Sequence, residues 1–161
     1  MNRDALGTLL LVVGVSVAAV GCAPSVSGPP PSSTDPVVVD ADDLEWSQRP
    51  SGVRVAVLHG DPDAPGPFVL RLQYPAGYRK EPHYHPRDAF VTVLAGSYHR
   101  GYGEVFEEST AHELRPGTFS LNPGGVSHYE WTTAPATLEV HAIGPWKTVY
   151  VDAGRPADDA S

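Results

Sequence analysis

Three histidines are spaced so that they could bind one metal ion. His83 and His85 are separated by one residue, so both imidazole rings project from the same face if they lie on a strand. A second segment delivers His128 after a turn that contains Pro123 and Gly125. Neutral imidazole binds first-row divalent metals, and three such ligands leave coordination positions open for water, substrate or dioxygen. This pattern predicts a metal centre that could activate water or polarise a carbonyl group.

A period-two alternation of apolar and polar residues predicts the strands that carry these histidines. Residues 68–74 read FVLRLQY, with apolar side chains at every second position and Arg71 and Gln73 on the other face. Similar short segments, separated by turns that contain glycine or proline, are 53–58, 89–95, 98–102, 118–121, 128–132, 137–143 and 148–151. Eight or more short strands predict an all-β sandwich or barrel. Residues 104–111 are predicted to form either a helical turn or an exposed loop.

Composition limits the classes of partner and reaction. The chain has 161 residues, which suits one domain, and its 16 glycines and 17 prolines favour tight turns over long helices. With 11 Lys and Arg against 19 Asp and Glu, the formal charge is 11 − 19 = −8, which disfavours nucleic acid as a partner. The single cysteine excludes an internal disulfide. The sequence contains neither a glycine-rich phosphate loop nor a nucleophile-elbow serine. The histidines are therefore the one recognisable chemical motif.

The spacing of glycine, proline and histidine resembles the two conserved segments of the cupin superfamily. The residues that carry the resemblance are Gly77, His83, His85 and Gly96 in the first segment, and Gly117, Pro123, Gly125 and His128 in the second. Cupins are double-stranded β-helix, or jelly-roll, barrels that bind a divalent metal through three histidines and one glutamate on the inner wall. The resemblance therefore implies this fold, with His83, His85 and His128 as metal ligands and Mn, Fe, Ni or Zn as the metal.

The sequence departs from this pattern at the glutamate position, six residues after the first histidine. Ala89 stands there, and an alanine cannot bind metal. Glu130 shares the inward face of the third histidine, so it is the first candidate to replace the carboxylate or to act as a general base. Glu139 and His141 share a face of a neighbouring strand and are further candidates, whereas Asp88 would need a β-bulge to turn inward. Alternatively, three histidines suffice, or the barrel has lost its metal.

The N-terminal segment has the pattern of a targeting sequence. Residues 5–21 are uncharged and mostly apolar, and the stretch AVGC at 19–22 resembles a bacterial lipobox. This predicts a lipoprotein-type signal peptide over residues 1–21 and a lipid attached to Cys22, with an uncleaved anchor helix or a plain secretory signal as alternatives. The predicted remainder is a Pro- and Ser-rich tether over 22–36, the barrel over 37–152 and a frayed acidic tail over 153–161. This resemblance implies that the domain lies at the bacterial cell envelope, anchored to a membrane and facing the periplasm or the exterior.

Two functions of different classes are consistent with these residues. The first is a metal-dependent enzyme, oxygenase-like or isomerase/hydrolase-like, that acts on a small metabolite with Glu130 as its catalytic base. The second is a non-catalytic module that binds or senses a metal or a small ligand, and the loss of the glutamate favours it. A metal-free barrel that isomerises or binds sugars is a third and weaker interpretation. Cupins share one barrel across unrelated reactions, so the resemblance leaves the substrate open, and it allows a homodimer formed through the sheets.

Overall fold

The computed structural model describes residues 36–151, which form an almost entirely β domain. The strands are β1 Ser47–Gln48, β2 Arg54–His59, β3 Gly66–Tyr74, β4 Arg79–Tyr84, β5 Ala89–Tyr102, β6 His112–Leu114, β7 Phe119–Asn122, β8 His128–Gly144 and β9 Val149–Tyr150. Two single-turn 3₁₀ helices lie at Ala41–Asp43 and Glu108–Thr110. None of the helices in this described part is long and apolar enough to cross a membrane. The predicted all-β class is confirmed, while the predicted signal peptide, Cys22 and the C-terminal tail lie outside the described residues.

Two long strands, β5 and β8, organise the antiparallel sheet. β8 pairs with β3, β4 and β5, and β5 pairs in addition with β6 and β7. The register between β5 and β8 shifts at residues 93–95 and again at 96–98, so the strands bend there. Gly96 lies at this bend with φ +83°, and a Cβ on it would lie 1.9 Å from the carbonyl oxygen of Pro135. The bend therefore requires glycine, because both the dihedral angle and the close backbone contact exclude a side chain.

The predicted strands are present, but four of them are joined in pairs. Residues 89–95 and 98–102 form the single strand β5, and residues 128–132 and 137–143 form β8. The alternation changes phase where the register shifts, so a continuous bent strand has the sequence pattern of two strands. The segment 104–111 takes the loop alternative, with one 3₁₀ turn inside it.

The inward faces of the strands build the core and also line a cavity. In β3, Phe68, Leu70 and Tyr74 are buried, as the alternation predicts, and Leu72 is partly buried. The same face continues across the neighbouring strands through Val55, Val91, Val93, Leu138 and Val140. Several of these residues also border a cavity whose wall includes His85 and His128. The strand alternation thus places the histidines on the inner side of the sheet, where their rings are shielded from bulk water.

Candidate metal centre

Two paired strands and the turn beyond them bring the three histidines together. His83 in β4 and His128 at the start of β8 are direct cross-strand partners. His85 lies one residue past the end of β4, where its carbonyl oxygen accepts a hydrogen bond of 2.8 Å from the Gly125 amide. Its ring stacks on Trp146, with 3.9 Å between ring centroids. One ring nitrogen from each histidine lies within 4.8 Å of the others, so the predicted trio forms one cluster.

Backbone carbonyl groups fix the tautomer of every ring in this cluster. The Nδ1 contacts are His83 to Glu81 O at 2.8 Å, His85 to Lys147 O at 2.8 Å, and His128 to Val126 O at 3.1 Å. A carbonyl oxygen only accepts, so each Nδ1 carries the proton and each Nε2 keeps its lone pair. The Nε2 atom of His83 is buried and has no hydrogen-bond partner. Hydrogen bonding of this kind on the second ring nitrogen is typical of histidines that bind metals.

Burial keeps the three rings neutral. It lowers the pKa of His85 to about 3 and that of His128 to about 4, with the charges of Lys80 and Arg100 respectively acting in the same direction. Burial, assisted by Lys80, also holds the pKa of His83 well below its ordinary value. Metal binding requires unprotonated imidazole, so these rings are ready to bind at neutral pH. Converging neutral Nε2 lone pairs, one of them without any other partner, fit a divalent transition metal.

Glu130 points inward, as its position two residues after His128 predicts, but it is held in a buried polar network. The whole residue is 3% exposed. One carboxylate oxygen accepts hydrogen bonds from the Tyr98 hydroxyl and, at 3.0 Å, from Arg100 Nη2, while the Tyr74 hydroxyl lies 3.3 Å from the other. Burial alone would raise the pKa of Glu130, but the Arg100 guanidinium and other nearby cations hold it below the usual range.

This network is unfavourable for the catalytic role predicted for Glu130, which stays a prediction. A general base must accept a proton near neutral pH, and a carboxylate with a depressed pKa and a bound guanidinium is a poor acceptor. Among the described residues, the cluster of potential metal ligands contains the three histidines without Glu130. The structure therefore makes Glu130 the counter-ion of Arg100 within the wall of the cavity.

Arg100 and Asn122 are the site residues that the sequence analysis missed. Arg100 Nη1 donates hydrogen bonds to Asn122 Oδ1 at 2.7 Å and to Ser120 Oγ at 3.0 Å. The amide nitrogen of Asn122 lies 3.5 Å from His128 Nε2. A signal for Arg100 was present, because it stands two residues after Tyr98 and shares its inward face. A charged residue at an inward position requires a buried partner, and that expectation leads directly to Glu130.

Sequence and structure comparisons identify the family. A family model of the ChrR cupin-like domain matches residues 34–146. The chain belongs to this cupin family. No curated protein matches its sequence. The predicted cupin resemblance is confirmed, and the cupin domain carries a three-histidine site that suits a divalent metal.

Solved structures with little sequence similarity share the cupin fold. The polyketide cyclase RemF from Streptomyces resistomycificus aligns with TM-score 0.62 and 19% identity over 75% of this chain and 89% of that one. A candidate acetylacetone dioxygenase from Methylibium petroleiphilum aligns with TM-score 0.60 and 19% identity over 78% and 89%. A cupin sugar phosphate isomerase from Silicibacter pomeroyi aligns with TM-score 0.57 and 21% identity over 72% and 82%. At identities this low, the structural alignments show a common jelly-roll fold.

This cupin has no carboxylate at the position where the superfamily pattern has its glutamate. Ala89 is buried at the cavity wall, together with His85 and His128. The cavity has about 890 Å³ of empty space, including the part open to solvent, and Glu130 is the one carboxylate among the residues that line it. That carboxylate is paired with Arg100, and the cavity wall has a methyl group at the superfamily's glutamate position.

Glu139 and His141 do share a face, but it is the outer face of the cupin sheet. Leu138, Val140 and Ala142 alternate with them and are buried, which fixes the inner side of β8. His141 Nε2 lies 3.0 Å from Glu139 Oε1. The strand parity that buries their neighbours turns both side chains away, so the structure does not bring these two predicted additional ligands together with the histidine cluster.

The Asp88 carboxylate is hydrogen-bonded to a backbone amide away from the histidine cluster. One of its carboxylate oxygens accepts a hydrogen bond of 2.7 Å from the backbone amide of Gly124. This bond ties the start of β5 to the turn that precedes His128. Asp88 therefore supports the loop that positions a predicted ligand, and no bulge rotates it into the cavity.

Proposed function

We propose that this protein is a metal-dependent cupin that binds a small carbonyl-bearing molecule in its cavity. The observation that carries the proposal is the cluster of three neutral histidines, each ring held by a backbone carbonyl, of which His85 and His128 line the cavity. A divalent ion bound there would supply Lewis acidity and open coordination positions. Mn, Fe, Ni and Zn all accept imidazole ligands, so all four remain candidates.

The chain's own residues would orient the ligand and keep water from it. Trp146 packs against both His85 and Phe68, which limits movement of the rim beside the metal centre. Aliphatic side chains form most of the remaining wall. Two of the structural neighbours are named as a polyketide cyclase and a candidate acetylacetone dioxygenase, and both names refer to carbonyl compounds. These observations support an oxygenase-like or isomerase-like reaction that needs no protein carboxylate as base.

A second candidate function is a non-catalytic module that binds or senses a small ligand. The engagement of Glu130 by Arg100 and Tyr98 favours it, because the described residues of the cavity then offer no free carboxylate for proton transfer. Binding requires only the metal centre and the shaped wall. Both functions therefore predict a bound metal, and only the enzyme predicts turnover of a substrate.

Elemental analysis of the full-length chain tests the proposal. The protein is purified in detergent without chelators and without a histidine tag, and we expect about one divalent transition metal ion per chain. The loaded protein is then incubated with acetylacetone and related 1,3-dicarbonyl compounds under air. Metal-dependent consumption of a substrate supports the enzyme, and metal without consumption supports the binding module. A chain that remains metal-free after incubation with Mn, Fe, Ni and Zn contradicts both.

We also propose that the domain is anchored in the bacterial envelope by a lipid on Cys22. The support is the lipobox-like AVGC sequence at 19–22, the apolar run before it and the Pro- and Ser-rich segment after it. In a bacterial host fed an alkyne-tagged fatty acid, the chain should take up label and sediment with membranes. Cys22→Ala should abolish the label. Equal labelling of the variant and the parent would contradict the proposal.

A further inference from the structure

The cavity carries a positive charge although the chain as a whole is acidic. The charged residues that line it are three cations, Arg49, Lys80 and Arg100, and one anion, Glu130. Their summed formal charge is 3 − 1 = +2. The formal charge of the whole chain is −8. A cleft of one sign with low-dielectric walls concentrates ligands of the opposite sign. The positive charge of the cavity therefore favours an anionic ligand, even though the protein as a whole is negatively charged.

Glu130 is the one acidic residue among the described residues that line the cavity, and it faces two of the three cations. Arg100 pairs with it at 3.0 Å, and the charge of Lys80 also lowers the pKa of its carboxyl group. Lys80 lies on β4 directly opposite Glu130 in the strand register, close enough to the metal centre for its charge to lower the pKa of both His83 and His85. Arg49 follows β1, where its amide donates a 2.8 Å hydrogen bond to the Val53 carbonyl.

Most of the rest of the cavity wall is apolar, although Ser47, Tyr74, Tyr78, Asn122 and two of the histidines also line it. The apolar part includes Val53, Leu70, Val91, Leu138 and Trp146, and in several places these residues are also part of the hydrophobic core. Such a surface stabilises a hydrocarbon body and offers little to a sugar or to a second charge. The ligand that matches both parts of the cavity has one anionic group and one apolar portion.

We propose that the cavity binds a small organic carboxylate with an apolar body, and that Lys80 and Arg49 are its cationic partners. This inference rests on the proposed function in one respect, namely that the cavity is the ligand site. It does not depend on the metal. Ion-paired hydrogen bonds to a carboxylate are among the stronger polar contacts in a protein, so Lys80 and Arg49 would set the preference for an anion.

The test compares three probes that differ only in their head group. Metal-free full-length protein in detergent is titrated with 3-phenylpropanoate, 3-phenylpropanamide and 3-phenylpropylamine by calorimetry and by ligand-observed NMR. Metal-free protein is used because a carboxylate would also bind a metal. We expect the carboxylate to bind about 10- to 100-fold more tightly than the amide, the amine to bind weakest, and added salt to reduce the difference. Equal affinity for carboxylate and amide, or binding of none of the three, overturns the inference.

Lys80→Met and Arg115→Met form a matched pair of variants. Each removes one positive charge, but 77% of the Arg115 side chain is exposed and Arg115 does not line the cavity. We expect Lys80→Met to weaken carboxylate binding at least about tenfold with little change for the amide, and Arg115→Met to change neither. Lys80→Arg keeps the charge and should retain the preference, as a check that a loss in Lys80→Met is not a folding defect. Carboxylate binding by metal-free protein that never retains a metal would support this inference and contradict the proposed metal function.

Discussion

Arg100→Met is expected to lower the free energy of unfolding by about 3–5 kcal/mol, because it leaves the buried Glu130 carboxylate without its counter-ion. Arg100 and Glu130 are each 3% exposed, so water cannot replace the lost partner. The substitution also removes the hydrogen bonds of Arg100 Nη1 to Asn122 and Ser120. Thermal unfolding of the metal-free chain, followed by circular dichroism, should show a fall in Tm on the order of 10–20 °C.

An exposed arginine provides the matched control for this substitution. Arg115 also pairs with a glutamate, Glu113, at 3.3 Å, but 77% of its side chain is exposed. Arg115→Met should change stability by no more than about 0.5 kcal/mol, since a solvated ion pair contributes little. The double variant Arg100→Met/Glu130→Met should recover part of the loss, because it removes the uncompensated charge. Equal effects of Arg100→Met and Arg115→Met would show that the buried pair is not a stability determinant.

The dependence of stability on pH should change with the same substitution. In the parent, nearby cations hold the pKa of Glu130 below its unfolded value of about 4.5 although burial acts in the opposite direction. Ionised Glu130 therefore stabilises the fold above that value, and the contribution is lost as the pH falls below it. Without Arg100, burial dominates and the pKa of Glu130 rises. The gain in stability between pH 4 and pH 7 should then shrink or reverse.

Sequence reasoning reaches the histidine cluster because spacing and strand parity determine it. His83, His85 and His128 are brought together by the pairing of β4 with β8, and the turn residues around them are visible in the sequence. The positions of Glu139 and His141 relative to the core were not predictable from their own spacing. Two residues that share a face can face either way, and the direction follows only from which neighbours are buried.

The partner of Glu130 could not be predicted from local pattern either. Its contacts with Tyr74, Tyr98 and Arg100 join three strands that are distant in sequence, and their register is set by bulges in β5. A bulge shifts inward and outward positions without a distinct sequence signal. The sequence therefore predicts that Glu130 points inward, while its role as a counter-ion depends on tertiary pairing.

His83→Ala is expected to abolish metal retention, with a loss of affinity greater than about 100-fold. Loss of a group that merely orients a ligand costs about 10- to 100-fold in metal affinity, and His83 would itself be a ligand, with a buried Nε2 that has no other partner. The measurement is titration of Co²⁺ or Zn²⁺ into chelator-treated full-length protein, with elemental analysis after gel filtration. His128→Ala should behave in the same way, and a melting curve for each variant establishes that it is folded.

His141→Ala separates this site from adventitious binding by histidine. The His141 side chain is 51% exposed on the outer face of the sheet, so its loss should leave metal content unchanged.

Acidification gives a second way to distinguish the two kinds of binding. Burial holds the pKa of His85 at about 3 and that of His128 at about 4, so protons should displace the metal only as the pH approaches 4. Surface histidines begin to release metal near their ordinary pKa of about 6.5. Retention by His83→Ala, or release from the parent by pH 6, would place the bound metal outside the cavity and remove the basis for a metal-dependent cupin.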